Sequence, residues 1–232
     1  MSVMIDPGLA ARVERVQDQV GAAAHAAGRA PEDVTIVAVS KTVDRPDVDA
    51  AVALGLRHFG ENRVQDARRK FAEPLPDGCT LHLIGQLQSN KARHAAALFD
   101  IIESVDRPSL IDVLEKEAER RGAPLDVLLQ VNVAREPQKA GCAPEEAPAL
   151  MRRLVASAWL RPRGLMTMAP LVDDPEMVRP VFAGLRELGA RLQREHPAVD
   201  LGALSMGMSN DFIVAIEEGA TSVRIGRAIF GE

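Results

Sequence analysis

Lys41 follows a run of seven uncharged residues, Val34-Thr35-Ile36-Val37-Ala38-Val39-Ser40, rich in β-branched side chains. An amine at the end of a buried strand has its aliphatic stem among apolar groups. Burial disfavours the ammonium form of a side chain that titrates near about 10.4 in water. A partly desolvated Lys41 would therefore hold the neutral amine needed for Schiff-base chemistry with an aldehyde. A salt-bridged or solvated lysine just past a strand is the plainer alternative. Two later segments suit an anion. Ser205-Met206-Gly207-Met208-Ser209 is small and polar and leads into a helix expected from Asn210. Ser209 is expected to cap that helix, leaving N–H groups and a positive dipole end exposed. Gly226 offers a second close backbone approach. The alternative is that these glycines only make tight turns and Ser209 only caps. Arg224 lies between Val223 and Ile225, so strand alternation turns it away from both. An arginine inside the fold needs a partner, because an unpaired buried charge is costly. That partner is a strand-borne acid such as Glu61 or Glu103, or a ligand atom. An amine, an anion cradle and a guanidinium on one face suggest an aldehyde phosphate as ligand.

These residues must be held by strands. Apolar runs at 34–40, 57–60, 80–84, 101–105, 126–133, 163–168, 201–206 and 222–225 read as strands, the first as one buried on both faces. Helical spacing fills the gaps: from about Pro46, then 62–71, 89–98, 109–121, 144–157, the helix of Val178, Val181, Leu185, Leu188 and Leu192, and 210–218. Such alternation predicts an α/β fold with a parallel sheet, and eight units in this length suit a single (β/α)8 TIM barrel better than a doubly wound sheet. The whole chain, 1–232, is expected to form one domain. A further helix, within 1–28, starts at Asp6-Pro7 and carries Leu9, Val13, Val16 and Val20; it is expected to pack on the barrel where the eighth helix is only a stub. Barrel sites gather where strands end and βα loops begin, which is where Lys41, Ser205 to Ser209 and Gly226 fall.

The chain has 232 residues and a net charge of −5, so no bulk attraction draws it to nucleic acid or anionic lipid. Hydrophobic residues make up 47%, enough to exclude disorder for most of the chain. No apolar run reaches membrane-span length, and residues 1–20 carry charges throughout, unlike a secretory signal. Cys79 and Cys142 are far apart, so a disulfide framework or zinc site is not expected and a reducing cytoplasm is. Tyrosine is absent, which excludes a tyrosine acid or base.

Other candidates read as structural. His82 alternates with Leu81 and Leu83 and reads as a satisfied core histidine. Met166, Met168, Met206 and Met208 read as packing. Arg68-Arg69-Lys70 reads as a solvated helix face. No metal-ligand spacing, phosphate loop or dinucleotide fingerprint is present.

Several segments carry a resemblance: Val37 to Lys41, Phe59-Gly60-Glu61-Asn62-Arg63-Val64-Gln65, His82 to Lys91, Gly164 to Met168, Leu204 to Ser209, and Val223-Arg224-Ile225-Gly226. Together they resemble the YggS/PROSC family of pyridoxal-phosphate-binding proteins, from about residue 34 to 231. The resemblance implies a barrel like the N-terminal domain of alanine racemase, without that enzyme's second domain. It implies that pyridoxal 5′-phosphate (PLP) is the cofactor and that Lys41 holds it as an internal aldimine. It implies phosphate contacts from Ser205, Ser209, Gly226 and the backbone of Arg227, with Arg224 facing the pyridine nitrogen and Asn62 beside the ring. Lys139 falls in a lysine-containing loop proposed in the family to help bind or release the cofactor.

Two departures stand out. Arg227 occupies the place where the family usually has threonine, and Gln138-Lys139-Ala140-Gly141 lacks the serine beside the lysine. The expected role is PLP homeostasis: cofactor storage and delivery, and balance of amino- and keto-acid pools, with no established catalysis. A weak amino-acid racemase is the alternative, with Cys142 or His82 as its poor second base. Apo PLP-dependent enzymes are the expected partners, and the chain is expected as a monomer or weak homodimer.

Overall fold

The computed structural model describes residues 6–231; residues 1–5 of the expected first helix and residue 232 lie outside them. Asp6 caps helix α1 (Pro7–Ala26), accepting from Gly8 N at 3.2 Å and Leu9 N at 3.0 Å. Leu9, Val13, Val16 and Val20 recur at helical spacing and are buried as a stripe.

The remaining elements alternate: β1 (Thr35–Val39), α2 (Arg45–Ala53), β2 (His58–Glu61), α3 (Val64–Lys70), β3 (Thr80–Leu83), α4 (Ala92–Leu98), β4 (Ile101–Val105), α5 (Pro108–Arg121), β5 (Leu125–Gln130), α6 (Ala147–Val155), β6 (Leu160–Met166), α7 (Arg179–Glu195), β7 (Ala203–Met208), α8 (Phe212–Glu217), β8 (Ser222–Ile225) and α9 (Arg227–Phe230). Every strand pairs in parallel with its neighbours, and β1 pairs with β8, so the sheet closes into an eight-stranded barrel in sequence order. This is the (β/α)8 fold.

The expected strands are all present, with ends shifted by a few residues. Strand 126–133 stops at Gln130 and strand 163–168 begins at Leu160. Val37, Ala38 and Val39 are buried, because β1 has the barrel interior on one side and helices on the other. Each fully buried aliphatic side chain contributes about 1.5–3 kcal/mol, and one continuous cluster joins the strands to the helices.

α9 is a single turn, and α1 takes the place of a full eighth helix by packing on α8 and α9. Arg12 Nε donates to the Ile229 carbonyl at 2.7 Å, and Arg29 Nη1 to the Ala220 carbonyl at 2.7 Å. No helix among the described residues is long and apolar enough to cross a membrane.

Candidate functional site

The register of three strand pairs builds one arc of the barrel's carboxyl-terminal rim. β1 and β8 set Val37 opposite Arg224 and Ala38 opposite Ile225. Gly226 comes next, against Val39: a Cβ there would lie 3.3 Å from the Val39 carbonyl oxygen. Lys41 leaves the rim just beyond. β2 sets Gly60 opposite Val39, which brings Asn62 level with Lys41. β7 sets Met208 opposite Arg224, so Ser209 follows at the level of the β8 end. Ser209, Gly226, Arg227, Lys41 and Asn62 thus share one arc of the mouth, where barrel chemistry is found.

Lys41 is exposed, not half-sunk in the barrel wall as its sequence context suggested. The reason is that β1 stops at Val39. Lys41 is the second residue of a turn, Ser40–Val43, closed by the Val43 N–H donating to the Ser40 carbonyl at 3.2 Å.

Ser209 does not cap a helix. α8 begins at Phe212, and the buried Asp211 holds the loop before it. Asp211 Oδ1 accepts from Met208 N at 2.6 Å, and Asp211 N donates to Met208 O at 3.0 Å. Asp211 is the residue that precedes the helix, and its carboxylate turns back to Met208 N without bonding the first turn of α8. Ser209 Oγ instead accepts from Ala228 N at 3.4 Å, joining the β7 and β8 loops. α8 has six residues, so the expected dipole contribution is withdrawn. Gly207 packs the same loop tightly: its φ is +93°, and a Cβ would lie 2.6 Å from Ala215 Cβ.

Ser205 and Arg224 lie inside the barrel. Arg224 is 3% exposed. Its Nη1 donates to Ser205 Oγ at 2.6 Å and its Nη2 to the Thr167 carbonyl at 2.7 Å. Ser205 Oγ donates its single proton to Glu103 Oε2 at 2.5 Å. The expected ion pair of Arg224 with Glu103 is thus relayed through a hydroxyl, and Glu61 takes no part in it. Ser205 is committed to the interior and positions Arg224, where the sequence reading had set it against a phosphate.

The chain of contacts continues. Glu103 Oε1 lies 2.7 Å from His82 Nδ1, and His82 Nε2 lies 3.0 Å from His58 Nδ1. A carboxylate only accepts, so His82 Nδ1 donates to Glu103, and one of His82 Nε2 and His58 Nδ1 donates to the other. Burial pushes the Glu103 carboxyl upward, but the hydrogen bond and charge of His82, the Arg224 charge and the Ser205 hydroxyl together bring it below the ordinary range. Burial pushes Arg224 downward, against the raising charges of Glu103 and Asp211. His82 is the satisfied core histidine expected of it.

Asn62, at the β2 end of the arc, is half-buried and also lines a cleft of about 420 Å³ with Arg63, Gln86 and Lys91. Lys139 lies in the loop after β5, with Nζ 4.0 Å from Glu136 Oε2, and its charge is felt at Asp211. Arg227 is exposed and donates from Nη2 to Asn210 Oδ1 at 3.3 Å. The reading of Arg68 to Lys70 as a solvated face fails at Lys70. Its side chain is 9% exposed, and its Nζ donates to Glu61 Oε1 at 2.7 Å. Sequence reasoning missed Lys70, Asp211 and His58. Only the alternation of His58 with Gly60 along β2 hinted that His58 faces inward.

The donors fit an aldehyde phosphate: a free primary amine, backbone turns brought close by Gly207 and Gly226, a hydroxyl at Ser209, and a buried guanidinium beneath. Among the described residues no group of three or more His, Cys, Asp or Glu is gathered for a metal. The family profile described as alanine racemase, N-terminal domain, matches residues 15–232. The chain belongs to the alanine racemase N-terminal domain family. Within that family, it is 44% identical over 223 residues to the pyridoxal phosphate homeostasis protein of Pseudomonas aeruginosa, covering 96% of this chain and 95% of that one. It is 42% identical over 222 residues to the protein of the same name from Aquifex aeolicus, covering 95% and 96%. Among solved structures, PipY of Synechococcus elongatus with PLP bound superposes with a TM-score of 0.84 at 39% identity, covering 96% of this chain and all of that one.

Proposed function

We propose that this alanine racemase N-terminal domain family member binds PLP at Lys41 and serves PLP homeostasis, storing and releasing the cofactor without turning over a substrate. The observation that carries this is the β8–β1–β2 register, which sets an exposed lysine beside Gly226 and above a buried arginine. PLP supplies an aldehyde, which condenses with a primary amine with loss of water, and an anionic phosphate. In this reading Lys41 provides the amine. Ser209 and the Gly226–Arg227 backbone face the phosphate. Lys139, across the mouth, aids exchange, and Asn62 flanks the ring. Homologues named for PLP homeostasis and the PLP-bound PipY support this reading.

The chain's own chemistry favours holding over turnover. Arg224 offers only donors and stays charged, so an aromatic nitrogen facing it accepts a hydrogen bond and gains no proton. That withholds the electron sink a carbanion needs. The candidates for a second base are poor. Cys142 is buried, with its thiol pushed up by burial to about 12. His82 is buried and committed to Glu103 and His58. A mouth this open suits transfer to apo PLP-dependent enzymes in the cytoplasm, by a monomer or weak homodimer. The arc needs residues from one chain only.

The test is a visible absorption spectrum of the purified protein after incubation with PLP, followed by borohydride reduction and peptide mapping. A band and a pyridoxyl group on Lys41, both lost in Lys41→Ala, are the expected results. A label on a different amine overturns the assignment. Washout of the α-proton from added amino acids would favour the racemase instead.

A further inference from the structure

The turn that presents Lys41 is anchored at a single carbonyl. Ser40 O accepts from Val43 N at 3.2 Å, which closes the turn, and also from Lys70 Nζ at 2.5 Å. Lys70 comes from α3, the helix that follows β2, so an ammonium from the neighbouring βα unit is drawn in to hold the β1 end. Two further bonds hold it there. Lys70 Nζ donates to Glu61 Oε1 at 2.7 Å, and Ser40 Oγ donates to the same oxygen at 2.7 Å. The three groups are sunk: Ser40 is 0% exposed and Glu61 1%. The other carboxylate oxygen, Glu61 Oε2, is buried with no hydrogen-bond partner among the described residues, so the Glu61 charge depends on Lys70. The strand ladder adds only Ser40 N donating to Gly60 O at 3.0 Å.

A buried ion pair of this kind is weak evidence for stability, since two apolar side chains often serve as well. Its geometry is what sets it apart. Both charged groups close on Ser40, the residue before Lys41, and Glu61 precedes Asn62 on the same arc. We infer that Lys70, with Glu61 as its counter-charge, is a positioning residue that fixes the Ser40–Val43 turn and so aims the Lys41 amine over the mouth. The inference rests on the assignment of Lys41 made above. An amine on a wandering turn still condenses with an aldehyde but meets it less often in the reacting geometry. Displacement by about 1 Å is enough to slow a positioned reaction by roughly a hundredfold.

The experiment compares wild type, Lys70→Met, Lys70→Arg and the double variant Glu61→Gln/Lys70→Met, all as the full chain. The double variant removes both charges together, so it stays folded where Lys70→Met alone strands a buried carboxylate. Three readouts are taken: the rate of PLP capture, trapped with borohydride and mapped; the affinity for pyridoxine 5′-phosphate, which keeps ring and phosphate but has an alcohol in place of the aldehyde; and hydrogen exchange at the Val43 amide without ligand. The expected result is capture at Lys41 slowed roughly tenfold or more in the double variant, faster exchange at Val43, unchanged pyridoxine 5′-phosphate affinity, and partial rescue by Lys70→Arg. Capture at the wild-type rate by the folded double variant overturns the inference. So does an equal fall in capture and pyridoxine 5′-phosphate affinity, which marks general damage. If wild type itself labels elsewhere than Lys41, it is the underlying assignment that fails.

Discussion

Arg224 Nη1 donates to Ser205 Oγ across 2.6 Å, inside the barrel and below the arc that carries Lys41. The hydroxyl accepts from the cation and donates to Glu103 Oε2, so a single small side chain joins a buried positive charge to a buried negative one. Removing it leaves Arg224 Nη1 and Glu103 Oε2 without the bonds they make to it. Ser205→Ala is therefore expected to lower stability by about 1–3 kcal/mol, read as a lower urea midpoint at unchanged slope. An unchanged midpoint would show that Arg224 and Glu103 find each other directly.

Acid should weaken the fold through His58. Burial, then the nearby His82, hold its pKa down at about 4, against an ordinary 6.5. The unfolded chain takes up the proton first as pH falls. The contribution is whole above pH 6.5 and is lost progressively as pH falls to about 4, and it amounts to roughly 1–2 kcal/mol once the ring's partial exposure is allowed for. Urea midpoints measured across this window should fall, and fall less in His58→Phe. Parallel slopes for the two proteins would rule the ring out as the source.

Ser209→Ala separates binding from folding. Its hydroxyl has one long contact, 3.4 Å from Ala228 N, so stability should change by less than about 0.5 kcal/mol. Affinity for pyridoxine 5′-phosphate should fall several-fold, measured by calorimetry. Unchanged affinity would remove Ser209 from the phosphate's surroundings.

Arg227 puts an exposed positive charge just past the end of β8. Arg227→Gln should weaken binding of the same phosphate probe a few-fold at low salt, with the difference fading toward about 1 M salt as screening sets in. A difference that survives high salt would point to a direct contact in place of a field effect.

Much of this was legible in the residues. The β-branched run before Lys41 marks β1, and the spacing of such runs counts out eight strands. Arg224 between Val223 and Ile225 reads as inward by alternation alone. What escaped was set by neighbours distant in sequence. Glu103 and Ser205 are 102 residues apart and meet only because the closed barrel brings β4 and β7 to a shared interior. Lys70 looks like Arg68 and Arg69 beside it, and nothing local says that it alone finds Glu61. Ser209 and Asp211 both suit a helix start. The helix starts after Asp211, whose carboxylate is held by the Met208 N–H. Lys41 looked buried because the apolar run continues to its door, while the sheet stops one residue short of Ser40.

The pairing of β1 with β8 has a bearing on how the chain is made. Lys41 leaves the ribosome well ahead of Gly226 and Arg227. Until β8 docks against β1, the lysine has no cradle beside it and no guanidinium beneath it. An interrupted translation product carries the reactive amine but not the means to retain an aldehyde phosphate. Custody of the cofactor thus begins only with a closed barrel.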